Sequence, residues 1–408
     1  MKPFLSLAGF CYLSATQGLA YSVDARYHNA GPVPDACSDG PAAGQFPSEI
    51  TPLRPRQDLD IRAAAKAAID ALNNKFYSPA QAIWSPGDPW WLSGVALTSV
   101  IDYMRKTGSR DYMDQIESII QVQRTQWSQD GADFRAESTD DTGWWALAMI
   151  RMYDLTGDST YLNISIEDEA YMYKYWTSSP CGGGIYVDIK AKTYKNAIAN
   201  ELYIKLAASL HNRIANDTRY LSRAETAWSW FQNSGMINQS DNLINDGLAS
   251  SSSGACSNNK LPVWTYNQGV ILGALAELFR ATNSETYLTS ARSIADAVLS
   301  TTTTPQLTNP NTGTLTEASC KQPDEGCNHD QQVFKGVFAY SLAELDGAVS
   351  DHGGGHPYVS YIRQNAQSAY ANARGEGTDL YDVSWAGPFL NSTVGKQASA
   401  VGLLIAGI

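Results

Sequence analysis

Lys106-Thr-Gly-Ser-Arg-Asp-Tyr112-Met is the stretch that decides the fold, because it returns in degenerate form along the chain. Its copies are Leu155-Thr-Gly-Asp-Ser-Thr-Tyr161-Leu, Ala215-Asn-Asp-Thr-Arg-Tyr220-Leu and Ala281-Thr-Asn-Ser-Glu-Thr-Tyr287-Leu. In each copy a Gly/Asn/Asp/Ser cluster ends one helix and caps the next. The Tyr-Leu (or Tyr-Met) pair opens the second helix and is expected to pack back on its partner. Internal repetition of this kind signals an array of helical hairpins.

Outward from these breakpoints, apolar periodicity predicts twelve helices. They span about 58–73, 92–107, 110–125, 141–156, 159–175, 197–213, 219–233, 266–282, 284–299, 334–347, 357–373 and 396–407. The even-numbered runs are apolar almost all round, as in Gly269-Val-Ile-Leu-Gly-Ala-Leu-Ala276, and such helices are buried on most sides. The odd-numbered runs carry more charge, as in Ser222-Arg-Ala-Glu-Thr-Ala-Trp228. A buried inner and an amphipathic outer helix, six times over, predict an all-α (α/α)6 barrel. Residues 57–408 are expected to form it as one domain, after a signal peptide over 1–20 and an extended Pro/Gly/Ala-rich lead-in over 21–56.

The signal is read from Lys2, the apolar run from Phe4 to Leu13 and the small residues Gly18-Leu19-Ala20. That run is too short to span a bilayer. Four sequons, at Asn163, Asn216, Asn238 and Asn391, fit a secreted glycoprotein. Of the six cysteines, Cys11 leaves with the signal, so an odd number remains. Cys320 with Cys327, and Cys181 with Cys256, are the expected disulfides; Cys37 is left over.

The formal net charge of −12 argues against a sequence-independent grip on nucleic acid and against strong association with anionic membranes. With 22 Tyr and 11 Trp, the composition suits a neutral, hydroxyl-rich ligand better, although aromatics are more often plain core. No histidine or cysteine spacing suggests a metal site, and no cofactor motif is present.

Unusual residues gather at the starts of the inner helices: Gly87-Asp-Pro-Trp-Trp91, Thr139-Asp-Asp-Thr-Gly-Trp-Trp145, Tyr194-Lys-Asn196, Thr265-Tyr-Asn-Gln-Gly269 and Phe334-Lys-Gly336. Parallel inner helices would bring all of these to one mouth. Asp140-Asp141 is the sharpest signal. Neighbouring residues on a helix point about 100° apart. Two adjacent carboxyls at a helix start can therefore reach both sides of a glycosidic bond, with mutual repulsion raising the proton affinity of one. The ordinary alternative is that both simply complement the free N–H groups of a first turn. Trp90 and Trp144 are candidate sugar platforms. Tyr194, Asn196, Asn200, Asp246, Tyr266, Asn267, Gln268 and Lys335 are candidate substrate contacts, though Asn196 and Asn200 serve equally as caps and Asp246-Gly247 as a turn. Cys181-Gly-Gly-Gly184 is either a tethered turn or a place where backbone approaches a ligand.

The ordered succession Asp-Asp-Thr-Gly-Trp-Trp, Cys-Gly-Gly-Gly, Tyr-Lys-Asn, Asp-Gly, Thr-Tyr-Asn-Gln-Gly and Phe-Lys-Gly resembles family 76 of the glycoside hydrolases, from about Leu59 onward. The resemblance implies an (α/α)6 barrel acting on α-1,6-mannan with retention, with Asp140 as nucleophile and Asp141 as acid/base. It implies a secreted, extracellular or cell-wall mannan endo-1,6-α-mannosidase. Two alternatives stand beside it: a cell-wall transglycosylase acting on mannan-bearing glycoproteins, and a non-catalytic mannan-binding protein. Tyr186 stands where many relatives have Trp.

Overall fold

The computed structural model describes residues 59–126, 133–318, 320 and 326–408, all within one compact unit, Gln57–Ile408. The expected signal peptide, the lead-in, Cys11 and Cys37 lie outside the described residues. Twelve helices are present among the described residues: α1 Ile61–Phe76, α2 Trp90–Thr107, α3 Met113–Gln126, α4 Thr139–Thr156, α5 Ser159–Tyr173, α6 Ala197–His211, α7 Arg219–Asn233, α8 Thr265–Thr282, α9 Glu285–Leu299, α10 Phe334–Asp351, α11 Val359–Asn372 and α12 Val394–Ala406. Two short antiparallel hairpins, β1 Tyr77–Ser78 with β2 Ile83–Trp84 and β3 Leu248–Ser250 with β4 Cys256–Asn258, are the strands among the described residues. Both are too short to leave a readable alternation.

The even-numbered helices form the inner ring. Each packs on the next, and α12 closes onto α2. Their sides are buried almost completely, as the all-round apolar runs require; every residue of α12 is buried. Small residues bring neighbouring axes close: a Cβ at Gly336 of α10 would lie 2.5 Å from the Ser399 Cα of α12. The outer helices α1, α5, α7, α9 and α11 fill grooves between inner neighbours. This is an (α/α)6 barrel. No helix among the described residues is long and apolar enough to cross a membrane.

The repeat works as a helix stop. Gly108 (φ 75°), Gly157 (φ 74°) and Asn283 (φ 59°) end α2, α4 and α8 in the left-handed conformation that lets the last carbonyl be capped. In two of the four copies the repeat tyrosine ties the new outer helix to the preceding outer one. The Tyr112 hydroxyl donates to Asp70 of α1 at 2.7 Å, and Tyr287 donates to Glu225 of α7 at 3.2 Å.

The far ends of the inner helices carry a buried lattice of charge. Arg213 grips Asp154 through two bonds of 2.7 Å and reaches Glu277 at 3.1 Å. Lys205 meets Glu344 at 2.5 Å, and Arg151 pairs with the same carboxylate. Tyr340 donates to Asp102, which also pairs with Arg105. Glu277 is driven down to about 2: burial opposes its charge, but Arg213 and Arg151 outweigh that. A cavity lined by Val95, Trp144, Leu147, Val270 and Val337 also reaches Arg151, Lys205 and Tyr340 of the lattice.

Candidate active site

The starts of the inner helices converge on one end of the barrel through aromatic contacts. The Trp91 ring (α2) stacks on Trp144 (α4) with centroids 5.3 Å apart and lies 6.3 Å from Phe334 (α10). Phe334 in turn stacks face to face with Tyr266 (α8) at 3.7 Å. The acid pair lies near this aromatic rim: Asp140 is within electrostatic reach of Tyr266, and both acids are within reach of Asp330, which accepts from the Trp91 indole.

Helix α4 begins after Ser138, whose extended backbone leaves the first N–H groups without intrahelical partners. Thr139 anchors this start to the loop between α5 and α6: its N–H donates to the Val187 carbonyl at 2.8 Å and its hydroxyl to the Tyr186 carbonyl at 2.9 Å. Asp140 turns its carboxyl back onto the helix end. Oδ1 accepts from the Ser138 hydroxyl and, at 3.0 Å, from the Asp141 N–H. Among the described residues, the Asp141 carboxyl has no hydrogen-bond partner. The electrostatics follow. Burial raises Asp140, while its hydrogen bonds from Ser138 and from backbone N–H groups pull it back. Burial, then the charge of Asp140, then that of Asp330 push Asp141 well above the usual carboxylate range. Both carboxyls remain partly exposed at the mouth.

Tyr194 and Asp246 also meet at this end. The Tyr194 hydroxyl donates to Asp246 Oδ2 and accepts from Asn259 at 2.7 Å. Gly247 makes the approach possible, since a Cβ there would lie 2.5 Å from the Tyr194 hydroxyl oxygen. Tyr266 stands within electrostatic reach of Asp246, Asp140, Glu201 and Asp330.

Other expected contacts are placed differently. Of the adjacent tryptophans, Trp91 faces Trp144; Trp90 instead stacks on Trp145 at 4.8 Å and donates to Gln123 of α3 at 3.0 Å. Asn200 is spent on a loop: Oδ1 accepts from the Ile185 N–H at 2.8 Å and Nδ2 donates to the Ile185 carbonyl at 3.2 Å. Gln268 grips Ile244 in the same way, at 2.8 Å and 2.6 Å. Lys335 is fully buried and donates to the Leu315 and Val383 carbonyls, with burial pulling it down to about 7. These three are buried and fasten loop backbone. Asn196 caps α6 by accepting from Ala199 at 3.2 Å. Asn267 is buried, and neither of its amide atoms has a partner among the described residues; the same holds for both oxygens of Glu201.

The triple glycine is a packed turn. A Cβ at Gly183 or Gly184 would fall 2.5 Å or 2.4 Å from the Trp230 ring. Lys195 stitches the turn by donating to the carbonyls of Thr177, Pro180 and Gly183. Disulfides join Cys181 to Cys256 and Cys320 to Cys327. Asn163, Asn216, Asn238 and Asn391 are all exposed. Among the described residues, no group of His, Cys, Asp or Glu is arranged to hold a metal ion.

Two residues at the mouth escaped the sequence reading, Trp91 and Asp330. Asp330 Oδ1 accepts from the Trp91 indole at 2.9 Å, four residues before α10 begins. The signal was its position: an acid just ahead of an inner helix, as at Asp88.

Comparison with known proteins adds to this geometry. The model of a family described as glycosyl hydrolase family 76 matches residues 60–407. A mannan endo-1,6-alpha-mannosidase of Saccharomyces cerevisiae is 24% identical over 84% of this chain and 76% of its own. One of Candida albicans is 26% identical over 70% of this chain and 67% of its own. Among solved structures, an alpha-1,6-mannanase of Salegentibacter superposes with a TM-score of 0.73 at 22% identity, covering 85% of this chain and 99% of that one. That structure is of an inactive variant with two consecutive aspartates replaced by asparagine, in complex with alpha-1,6-mannotriose. At this identity the likeness bears on the fold.

Proposed function

Since the chain belongs to glycosyl hydrolase family 76, we propose that it is a secreted, retaining endo-α-1,6-mannanase in which Asp140 is the nucleophile and Asp141 the acid/base. The observation that carries this reading is the unequal treatment of two adjacent acids. Asp140 is held by hydrogen bonds at a helix N-terminus, which favour its anion. Asp141 has no such bonds and faces the charge of Asp140, which favours its protonated form.

In the first step an Asp140 oxygen attacks the anomeric carbon while the bond to the leaving oxygen breaks, and Asp141 gives that oxygen its proton. In the second, Asp141 takes a proton from water as the water oxygen displaces Asp140, so both carboxyls return to their starting states. Trp91 and Trp144 offer apolar faces for sugar rings, and Tyr266, Tyr194 and Asp246 offer polar groups to hydroxyls. The catalytic domain is taken as residues 57–408, preceded by a signal peptide over 1–20, with the protein working outside the cell or in the wall.

The test is time-resolved proton NMR and chromatography of products from α-1,6-mannohexaose. Shorter oligomers released first as α-anomers are expected. β-Anomers appearing first would overturn retention. Products longer than the substrate would make the protein a transglycosylase, and binding without any cleavage would make it a mannan-binding protein.

A further inference from the structure

Asp330 is held at the mouth from two sides. Its Oδ1 accepts from the Trp91 indole N–H at 2.9 Å, and its chain neighbour His329 pairs through Nδ1 with Asp88, just ahead of α2. The Cys320–Cys327 disulfide ends three residues before it. Among the described residues, no Lys, Arg or His pairs with Asp330. It therefore adds a carboxylate, without a counter-ion, to a mouth that already holds Asp140 and Asp141, and its charge is felt by both. A third carboxylate beside two others is unfavourable unless one of them keeps a proton. As a mere acceptor for an indole N–H it would be a needlessly charged choice, since an amide oxygen accepts equally well.

We propose that Asp330 is a positioning residue of this site: its carboxylate pins the Trp91 indole against Trp144 and sets a fixed negative charge beside the Asp140–Asp141 pair. The proposal rests on the reading of that pair given above. The titratable groups facing it are Asp140 and Asp141 from α4, Tyr266 from α8, and the Asp88–His329 pair from the loops before α2 and α10. The two effects are separable. Holding Trp91 acts on how firmly sugar binds, while the charge acts on how tightly Asp141 keeps the proton it must deliver.

Asp330→Asn keeps an acceptor for Trp91 and removes the charge; Trp91→Phe removes the indole donor and leaves the charge. For the full chain, the titrations of Asp140 and Asp141 are followed by carbon-13 carboxyl NMR without substrate, and kcat/KM on α-1,6-mannohexaose is followed against pH. In Asp330→Asn, the upper carboxyl titration and the basic limb of kcat/KM should both move down by about one pH unit, with KM within about twofold. Trp91→Phe should raise KM several-fold and leave the titration unmoved. His329→Gln should likewise leave it unmoved. Should Asp330→Asn fail to fold, Asp330→Glu must keep the titration in place and raise KM. An unshifted titration in Asp330→Asn, or a shift of equal size in Trp91→Phe, overturns the proposal. Absence of any cleavage by the wild type would sink the mannanase reading alone, since the carboxyl titration still judges Asp330.

Discussion

Asp140 Oδ1 accepts the backbone N–H of Asp141 at 3.0 Å, so the first acid of the pair is tied down by the second residue's own backbone. The two side chains are thereby made unlike by their positions on one helix turn. Asp140 is bonded into the helix end, and Asp141 projects free of it. A difference in proton affinity between chemically identical neighbours follows from this geometry, and the Ser138 hydroxyl on Asp140 and the charge of Asp330 near Asp141 widen it.

Replacing either acid by asparagine should lower kcat by at least about a thousandfold. Asp140→Asn should keep its affinity for α-1,6-mannohexaose by calorimetry, because the amide preserves shape. Substantial turnover in both single variants would remove the pair from the chemistry. With an activated α-mannoside, azide should rescue small-side-chain variants of both acids but with opposite outcomes, a β-mannosyl azide from the nucleophile variant and an α-mannosyl azide from the acid/base variant, and so tell the two roles apart.

Trp91→Ala removes one face of the Trp91–Trp144 stack. If Trp91 also offers a face to sugar, losing a contact of about 1 kcal/mol should raise KM roughly fivefold, with a smaller change in kcat. Trp90→Ala would behave otherwise. It opens a hole between Trp145 and α3 and should show first as a lower melting temperature.

Asn200→Leu tests whether that amide serves a loop or a ligand. It would strand both the N–H and the carbonyl of Ile185, which are buried. The cost should be roughly 2–4 kcal/mol, read by urea unfolding. Unchanged stability with a raised KM would instead make Asn200 a sugar contact.

Which features were legible in the sequence follows from how local their causes are. Helix ends at Gly108, Gly157 and Asn283 are written in the residues that adopt the left-handed conformation, so the hairpins and their ring could be read directly. The place of the acid pair in the first turn of an inner helix could be read, because polar residues just before an apolar run mark a helix N-terminus. Trp90 and Trp91 could not be told apart, since one position turns a helix by about 100° and nothing local says which way the mouth lies. Asn200, Gln268 and Lys335 look like ligand contacts for the same reason they are loop clasps: a polar group at the start of an apolar helix must bond something. Asp330 is distant in sequence from Trp91, and no spacing rule links them. The charges of the far-end lattice sit in the later turns of their helices, where the sequence reads equally well as exposed polar residues.

Glu277 predicts how the fold responds to acid. Its folded-state value of about 2 lies below the ordinary one of 4.5. Its contribution is therefore present above about pH 4.5 and is lost as pH falls through about 2. Glu277→Gln should cost roughly 3 kcal/mol near neutral pH, because it leaves Arg213 without one of its two carboxylates. The gap between variant and wild type should shrink as unfolding is measured at successively lower pH. A gap that stays constant down to pH 2 would show that the arginines do not hold this carboxylate ionised.

The lattice of Asp102, Arg151, Arg213, Glu277 and Glu344 has one more consequence, for traffic. Its paired charges occupy the far ends of the inner helices, away from the acid pair. On the mannanase reading proposed above, a polymer would then arrive and depart on one side. A severed fragment would stand in the path of the next molecule, and the rate at which it left would set whether water or another sugar met the proposed intermediate first.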